Sequence, residues 1–434
     1  MPEMKDSGIE WIGEMPKDWD VIRCKYISTF LNGYSFDSRD LKLDFQYPVI
    51  RIGDIKGGGI DTVNCQGVDF NIGLERYLIQ ENDILLAMSG ATVGKVGIAH
   101  NSDYAYINQR VGIIRTEYPK FLFYCLSAKE FIEYILLHAN GSAQPNVSGD
   151  VYGEYCISYP KIAVRERIAN FLDSKCAEID ALTADIEKEI EVLEEYKKSV
   201  ITEAVTKGLD KNVEMKDSGL DWMKQYPSSW SISRLKYLGT LQNGISKGGE
   251  FFGEGYPFVS YGDAYKNITL PHEASGLIRS SLDERVRYSV KKGDAFFTRT
   301  SENLEEIGFS SVCEKTIENA VFAGFLIRFR PNNSSINMRF AKYYFRSEKL
   351  RLYYVTRMMI VTRASLSQQL LGDMPILIPP IKEQKSIADF LDNKCREIEN
   401  IIAQKQEQLE VLADYKKSLI YEYVTGKKEV PESY

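Results

Sequence analysis

A long segment without proline or glycine occurs twice in this 434-residue chain and strongly constrains the fold. The first copy covers residues 164–207, and the second begins after Pro380. The copies align at an offset of 219 residues, so that Phe171 matches Phe390. Proline before and glycine after each copy are helix stop signals. At 1.5 Å per residue, the 44 residues of the first copy form a rod of roughly 66 Å.

Apolar residues recur along both copies at heptad-like spacing, which is typical of helices that pack on each other. On the helices alone, an ordinary coiled-coil hairpin or a dimerisation arm remains an alternative. The positions predicted for helix packing or partner contact are Ile179, Leu182, Ile186, Leu193 and Tyr196 in the first copy, and Ile398, Ile401, Leu409, Leu412 and Tyr415 in the second.

The repeat extends beyond the helices. Residues 3–11 (EMKDSGIEW) recur as residues 214–222 (EMKDSGLDW), at an offset of 211. These repeats predict two tandem units. The predicted segments are 1–16, a lead-in segment; 17–160, the first globular domain; 161–210, the first long helix; 211–227, the second lead-in segment; 228–380, the second globular domain; and 381–434, the second long helix and tail.

Both globular domains show the pattern of mixed α/β folds, with short apolar runs between turns rich in Gly, Asn and Asp. One amphipathic helix is predicted near the end of each domain, at residues 120–139 and 338–359. The predicted strands cover residues 48–52, 83–88, 111–115, 258–261, 294–298 and 325–330. Apart from one Gly-Asp pair, the two domains share little identity, which favours one architecture that recognises two different things.

Composition and motifs offer no catalytic site. Seven scattered cysteines without a C-x-x-C pair favour reduced thiols. No apolar run approaches the 18 residues that a membrane span needs, so we expect a cytoplasmic protein. Three histidines in unrelated contexts provide little material for metal or acid–base sites, and we predict no catalytic residue, metal or cofactor. Residues 89–95 (SGATVGK) resemble a phosphate loop but are one residue too short and lack its magnesium-binding Ser or Thr.

Charge is distributed unevenly along the chain. The formal net charge is −7, and residues 17–160 contain 13 Lys or Arg against 17 Asp or Glu. Residues 228–380 contain 20 cations against 14 acids. The most basic stretch, residues 339–363, has seven cations and one acid among many aromatic side chains. A helix with this pattern can contact DNA phosphates, although a core helix with a solvated basic face remains nearly as plausible.

Two polar loops follow the predicted domain helices. At the offset of 219, Gln144 aligns with Arg363. Glutamine pairs with adenine and arginine with guanine in the major groove, so the exchange is typical of two half-site readers, although ordinary loop polarity remains an alternative. The candidate DNA-binding residues are Ser89, Thr92, Lys95, Arg110, Gln144 and Asn146 in the first domain, and Lys247, Arg299, Arg346, Arg357, Arg363 and Ser365 in the second.

Together these features resemble the specificity (S) subunits of type I restriction–modification systems. The resemblance rests on the doubled lead-in motif (residues 6–13, DSGIEWIG) and on the opening of the second helix (residues 379–384, PPIKEQ). It covers essentially the whole chain. The first helix departs from the family pattern, because Val164 and Arg165 stand where a Glu-Gln pair is expected.

The resemblance implies an α/β (α+β) fold with a pseudo-twofold internal repeat. Two target-recognition domains would each recognise one half of a bipartite, asymmetric double-stranded DNA site, joined by two long antiparallel coiled-coil helices. The helices would set the spacing and dock two modification subunits that methylate adenine, and restriction subunits would join that core. The chain itself would be non-catalytic. A DNA-binding regulator and a non-catalytic coiled-coil scaffold are the alternatives.

Overall fold

The computed structural model describes residues 3–63, 65–100, 104–139, 146–220, 222–301, 307–332, 334–355, 357 and 364–431. It divides into two compact units. Unit 1 consists of Met1–Glu187 and Gln406–Tyr434, and unit 2 consists of Lys188–Lys405. Each unit therefore contains one globular domain and part of both long helices, whereas the predicted boundaries treat the helices as separate segments.

Unit 1 combines short strands with short helices. Its strands are β1 Met4–Asp6, β2 Glu14–Pro16, β3 Asp20–Arg23, β4 Ser28–Asn32, β5 Tyr47–Ile50, β6 Ile55–Lys56, β7 Gly59–Ile60, β8 Gly67–Val68, β9 Ile84–Ala87, β10 Val96–Ile98, β11 Tyr106–Ile107, β12 Val111–Thr116 and β13 Cys156–Tyr159. Its helices are α1 Pro119–Ser127, α2 Lys129–His138, α3 Gly149–Glu154 and the first long helix α4 Ile162–Lys207, which continues into unit 2. Short 3-10 turns lie at Cys24–Tyr26, Ile52–Asp54, Ile72–Tyr77 and Gly90–Thr92.

Unit 2 has the same kinds of element. Its strands are β14 Met215–Leu220, β15 Met223–Pro227, β16 Ser231–Arg234, β17 Gly239–Asn243, β18 Phe252–Val259, β19 Gly276–Ile278, β20 Ala295–Thr298, β21 Thr300–Ser301, β22 Ser310–Val312, β23 Val321–Phe322, β24 Leu326–Pro331, β25 Ala364–Ser365 and β26 Pro375–Ile378. Its helices are α5 Leu235–Leu238, α6 Tyr261–Lys266, α7 Leu282–Arg287, α8 Met338–Arg346, α9 Glu348–Val355, α10 Gln368–Gly372 and the second long helix α11 Ile381–Val424, with a 3-10 turn at Gly249–Phe251.

The strand pairings of unit 1 recur in unit 2. The main sheet has the antiparallel order β10-β9-β12-β4 in unit 1 and β22-β20-β24-β17 in unit 2. A second sheet has the order β11-β5-β8 or β23-β18-β19, and β3 pairs with β13 as β16 pairs with β26. This repetition confirms the predicted α/β class and internal repeat, and it extends the repeat into domains that share little sequence.

The central strands of both main sheets contribute buried apolar residues to the core. In unit 1, Ile113 of β12 lies between Leu85 of β9 and Leu31 of β4 in the register of the sheet. Ile113 and Leu85 are fully buried, as are Phe297 of β20 and Ile327 of β24 in unit 2. These buried cross-strand pairs fix the strands, and the connecting loops project from the strand ends.

The two long helices are confirmed, and they run antiparallel within each unit. In unit 1, the Lys416 ammonium lies 2.6 Å from the Asp180 carboxylate, and the rings of Phe171 and Tyr423 are 4.5 Å apart. In unit 2, Lys197 pairs with Glu399 and Lys405 pairs with Glu189. In both units, residue numbers rise along one helix as they fall along its partner, which defines an antiparallel pair.

The predicted packing positions differ in burial. Ile179, Ile186 and Ile398 are buried, with exposed fractions of at most 8%. Leu193, Ile401, Leu409 and Leu412 are partly buried. In contrast, Leu182, Tyr196 and Tyr415 are about half exposed, at 48%, 48% and 53%. A pair of helices covers only one stripe of each surface, so the apolar positions at the edge of the stripe remain accessible.

The single amphipathic helix predicted near the end of each domain is wrong. In unit 1 the chain leaves the helical conformation at Ala128, between α1 and α2, and in unit 2 it does so at Ser347, between α8 and α9. Both residues have extended backbone torsions and are buried. Because neither residue is a helix breaker, packing in the domain core determines the break.

The end of each long helix packs on a tryptophan that lies just after a lead-in segment. The first helix ends at Gly208, where a Cβ atom would lie 3.3 Å from the Trp230 ring, and the second ends near Gly426, where it would lie 2.9 Å from the Trp19 ring. Both glycines have positive φ, which favours glycine at a helix end. The end of the second helix thus contacts the start of the first domain just as the end of the first helix contacts the start of the second domain.

Candidate nucleic-acid interface

Polar side chains from three separate loops of unit 1 line a cleft of about 560 Å³. We call this group site 1 and define it as Asn32, Ser89, Gln109, Arg110 and Asn146. Three of the predicted DNA-binding residues, Ser89, Arg110 and Asn146, are therefore brought together, although 57 residues of chain separate the first from the last. The cleft is open, and its floor includes the buried residues Met88 and Val147.

Backbone hydrogen bonds hold the three loops of site 1 in register. The Met88 N–H donates to the Arg110 carbonyl over 2.9 Å, and the Val147 N–H donates to the Met88 carbonyl over 2.8 Å. Gly33 is needed beside them, because a Cβ atom there would lie 2.1 Å from the Asn108 carbonyl oxygen. Site 1 is thus built on the ends of strands β4, β9 and β12 rather than on free loops.

The side chains of site 1 are suited to reading base edges. Asn32, Gln109, Arg110 and Asn146 are exposed, and no ion pair among the described residues involves Arg110. Ser89 is 7% exposed, and within the described part of the chain its hydroxyl has no hydrogen-bond partner. A buried hydroxyl without a partner is costly, so a ligand that bonds to it would gain free energy.

Unit 2 repeats the same backbone arrangement. The Arg299 N–H donates to the Phe325 carbonyl over 2.9 Å, and the Leu366 N–H donates to the Arg299 carbonyl over 2.7 Å. Gly244 has the role of Gly33, because a Cβ atom there would lie 2.1 Å from the Ala323 carbonyl oxygen. These contacts define the equivalent surface, site 2, as Asn243, Arg299, Thr300, Phe325 and Ser365.

The two sites differ in nearly every side chain that they present. Met88 corresponds to Arg299 and Arg110 to Phe325, because these residues make equivalent backbone hydrogen bonds. Asn146 corresponds to Ser365, since Ser89 bridges to the former as Thr300 pairs with the latter. Only Asn32 keeps its identity, as Asn243.

A buried ion pair supports each main sheet. Asp83 is 3% exposed and Asp294 is 1% exposed. Each accepts two bonds from an arginine on the central strand: Arg115 to Asp83 over 2.8 and 2.9 Å, and Arg330 to Asp294 over 2.6 Å twice. Their equivalence shows that the frame is shared while the presented side chains vary.

Several candidates lie outside the two sites. The Thr92 hydroxyl donates to the Ile52 carbonyl over 3.4 Å, and Lys95 is exposed on the turn before β10. Lys247 bonds to the Arg279 carbonyl and to Glu284, each over 2.8 Å. Two further candidates, Gln144 and Arg363, lie outside the described residues.

The basic stretch of unit 2 makes many internal contacts. Arg346 donates to the carbonyls of Ser310, Ala264, Tyr265 and Asn267 over 2.7–2.9 Å. Burial, together with the smaller effect of the neighbouring Arg351, lowers the pKa of this guanidinium to about 10. Arg346 therefore has a structural role in holding the end of α6.

The remaining cations of α8 form an ion-pair cluster around Asp392 of the second long helix. Arg339 pairs with Asp392 and, over 2.8 Å, with Asp389, while Lys342 lies 2.9 Å from Asp392. Arg357 stacks on Tyr353, 4.6 Å from the ring centroid. Two of the seven cations in residues 339–363 thus join α8 to the second long helix.

Site residues that the sequence analysis missed are Asn32, Gln109, Asn243, Thr300 and Phe325. An Asn-Gly pair occurs at residues 32–33 and again at residues 243–244, and this repeat could have indicated Asn32 and Asn243. Gln109 and Phe325 carry no motif. The backbone hydrogen bonds show that Phe325 is equivalent to Arg110, at an offset of 215 residues.

Neither a metal site nor a membrane span appears in the part of the chain that the structure describes. No group of three or more His, Cys, Asp or Glu side chains there could hold a metal ion. No helix in those same segments is long and apolar enough to cross a membrane.

Comparison with protein families identifies the chain. The family described as the type I restriction modification DNA specificity domain matches residues 16–192 and 227–411. The chain belongs to this family. The two matched regions are the two tandem units predicted from the sequence, and the resemblance to type I specificity subunits is confirmed.

Curated relatives of this family match along most of the chain. The EcoKI specificity subunit of Escherichia coli K12 is 24% identical over 86% of this chain and 82% of its own length. The MjaVIII specificity subunit of Methanocaldococcus jannaschii is 23% identical over 96% of this chain and 94% of its own length.

Solved structures share the fold. A chain solved in work on complex assembly and conformational transition of the type I R-M system superposes with a TM-score of 0.71, at 15% identity over 95% of this chain and 99% of that one. The HsdS subunit from Thermoanaerobacter tengcongensis gives a TM-score of 0.51, at 15% identity over 95% of this chain and 98% of its own.

Proposed function

We propose that this chain is the DNA-recognition subunit of a type I restriction–modification complex, and that sites 1 and 2 each recognise one half of a bipartite, asymmetric site. The observation that carries this proposal is the pair of sites itself. One backbone arrangement, built twice, presents two different sets of side chains. A protein that recognises two different half-sites needs this combination, because backbone position fixes the depth of approach and side chains select the bases.

Site 1 has residue types that pair with purine edges in the major groove. Arginine pairs with the O6 and N7 atoms of guanine, and asparagine or glutamine pairs with the N6 and N7 atoms of adenine. Arg110, Gln109 and Asn146 supply these groups, and Ser89 can donate or accept at their base. Site 2 presents Arg299, Thr300 and Ser365, and this different set of side chains would recognise a different DNA half-site.

Phosphate contacts are distributed differently. Residues 17–160 contain more acids than cations, so the first domain has limited capacity for phosphate binding of its own. We propose that partner subunits supply much of the phosphate contact there. The second domain, with 20 cations against 14 acids, contributes more of its own.

Exposed apolar residues on the long helices support docking of two identical partners. Val192 and Tyr196 on α4 are 60% and 48% exposed, and their equivalents Val411 and Tyr415 on α11 are 62% and 53% exposed. Residues four apart lie on the same face of a helix, so each pair forms an apolar patch. Because the patch occurs once in each unit, it fits one modification subunit per unit, with restriction subunits joining that core.

In this proposal the chain performs no catalysis and acts in the cytoplasm. The methyl transfer and the DNA cleavage belong to its partners, and the two long helices set the number of unread base pairs between the half-sites. A rod of roughly 66 Å corresponds to about two turns of B-DNA at ~34 Å each.

Co-expression with type I modification subunits, followed by adenine-methylation mapping of the host DNA, tests the function. We expect methylated adenine at one bipartite, asymmetric motif. A stable complex that methylates no such motif, or the absence of any complex, would contradict the proposal.

Docking is tested by removing the patches one at a time. Tyr196→Ala and Tyr415→Ala should each leave the chain folded and reduce the number of bound modification subunits from two to one at moderate concentration. Native mass spectrometry measures this number. Leu282→Ala, which removes a 66% exposed apolar side chain elsewhere, is the matched control and should retain two. Retention of two subunits by both tyrosine variants would contradict docking at these patches.

A further inference from the structure

Phe325 occupies in site 2 the position that Arg110 occupies in site 1. The carbonyl of each residue accepts a 2.9 Å hydrogen bond from the N–H of a strand-end residue, Arg299 or Met88. Each also lies directly before the strand at the centre of its main sheet, β24 or β12. Backbone contacts alone set this equivalence, so it holds although the two side chains have opposite chemistry.

The Phe325 side chain is held outside the protein core. It is 62% exposed, whereas Phe322 and Phe329, on the strands around it, are fully buried. The turn that carries it is closed by a 3.0 Å hydrogen bond from the Leu326 N–H to the Ala323 carbonyl. An exposed phenylalanine forgoes the free energy of burial, and its exposure leaves the ring accessible to a ligand at site 2.

The major groove limits what such a ring can recognise. Its base edges present hydrogen-bond donors and acceptors together with one apolar group, the C5-methyl of thymine. A phenyl ring cannot donate or accept a conventional hydrogen bond, and it would leave the polar edge of guanine, adenine or cytosine unpaired. Because the turn of Phe325 is equivalent to that of Arg110, the proposed function places both side chains at the major groove of their half-sites, at the same depth.

We infer that Phe325 recognises a thymine in the half-site of the second domain by packing on its C5-methyl group. This inference rests on the proposed function. The neighbouring hydroxyl groups fit the same base: Thr300 and Ser365 are paired across β21 and β25, and a hydroxyl can donate to the O4 acceptor beside the thymine methyl.

Uracil substitution tests this contact directly, because uracil differs from thymine only by the missing methyl group. The full chain with its modification subunits is titrated with duplexes of the mapped motif in which each thymine in turn is replaced by deoxyuridine. We expect one position where the replacement weakens binding by about 3- to 10-fold, as burial of one methyl group would give.

Substitution of the ring should abolish that difference. Phe325→Ala should bind the thymine and uracil duplexes within about 2-fold of each other, Phe325→Leu should retain part of the discrimination, and Leu282→Ala should behave as wild type. The inference would be overturned if wild-type binding were the same with and without every thymine methyl group. It would also be overturned if discrimination persisted in Phe325→Ala, or if the half-site of the second domain contained no thymine on either strand. Loss of the bipartite motif itself would instead refute the proposed function, so the two failures are distinguishable.

Discussion

Sites 1 and 2 show how one protein presents two recognition surfaces from the same frame. In both, three backbone segments meet through equivalent hydrogen bonds, next to a glycine that admits the close approach. Where site 1 presents Arg110, site 2 presents Phe325. The contrast teaches that recognition can change without a change of fold, because the variable side chains stand at strand ends and contribute little to the core.

The shared features are the ones that stability requires. A buried aspartate–arginine pair stands beside each main sheet, and a tyrosine on the domain helix bonds to an aspartate of the long helix in both units: Tyr124 to Asp173 over 2.8 Å, and Tyr343 to Asp392 over 2.7 Å. The residues that stabilise the two domains are therefore different from those that the two sites present.

The largest expected effect is on the shared frame. Asp83→Ala in unit 1 and Asp294→Ala in unit 2 should each lower the free energy of unfolding by about 3–5 kcal/mol, because each leaves a partly buried arginine without its partner. Urea denaturation measures both. The control Asp69→Ala breaks an exposed 3.4 Å ion pair with Lys42 and should cost less than about 1 kcal/mol. A small loss in one unit and a large one in the other would break the equivalence of the two frames.

A smaller effect is expected at the starts of the two long helices, where the two units stabilise the junction with different residues. At the start of α11, buried Gln384 donates to the carbonyls of Ser335 and Pro379 and accepts from the Asn337 N–H. At the start of α4 its equivalent is Arg165, whose guanidinium lies 3.8 Å from the centroids of two tyrosine rings. Gln384→Ala and Arg165→Gln should each cost about 1–3 kcal/mol. Thermal unfolding measures the loss. An Arg165→Gln variant as stable as wild type would show that the two junctions are interchangeable.

The smallest effect concerns pH. Burial raises the pKa of Asp392, but hydrogen bonds from Lys342, Tyr343 and Arg339 outweigh it, so the net pKa is lowered. Because the folded pKa is below the unfolded one, the stabilisation is present above the unfolded pKa and is lost as pH falls through the folded value. Stability of unit 2 should therefore fall below about pH 4. Unfolding measurements at a series of pH values test this. In the Asp392→Asn variant the free energy of unfolding should vary less with pH in this range, and an unchanged dependence would exclude Asp392 as its source.

Local signals were enough to predict most of the frame. Helix α11 begins at Ile381 as predicted, and the strands around Leu85, Ile113 and Phe297 lie where apolar runs stand between turn residues. These elements follow from periodicity and from proline and glycine, which act over a few residues. The helix break at Ser347 depends on burial among distant residues, so no local pattern indicated it.

The candidate site was predictable only in part. Three of the predicted residues, Ser89, Arg110 and Asn146, meet in site 1. Charge also suggested Arg346, whose guanidinium bonds to backbone carbonyls inside unit 2. A cation in a sequence has the same appearance whether its partner is a phosphate or a carbonyl. Phe325 was missed because the sequence predicts a strand over residues 325–330, and an apolar residue within a strand is normally part of the core.

Adenine-methylation mapping with one variant in each site tests the central claim most directly. In cells that express the complete complex, Arg110→Ala should make the motif degenerate in one half only, and Phe325→Ala in the other half only, with the spacer unchanged. Each lost contact corresponds to about 1–3 kcal/mol of discrimination for a bidentate pair and to less for a methyl contact. Relaxation of the same half by both variants, or of both halves by either one, would contradict the assignment of one half-site to each domain.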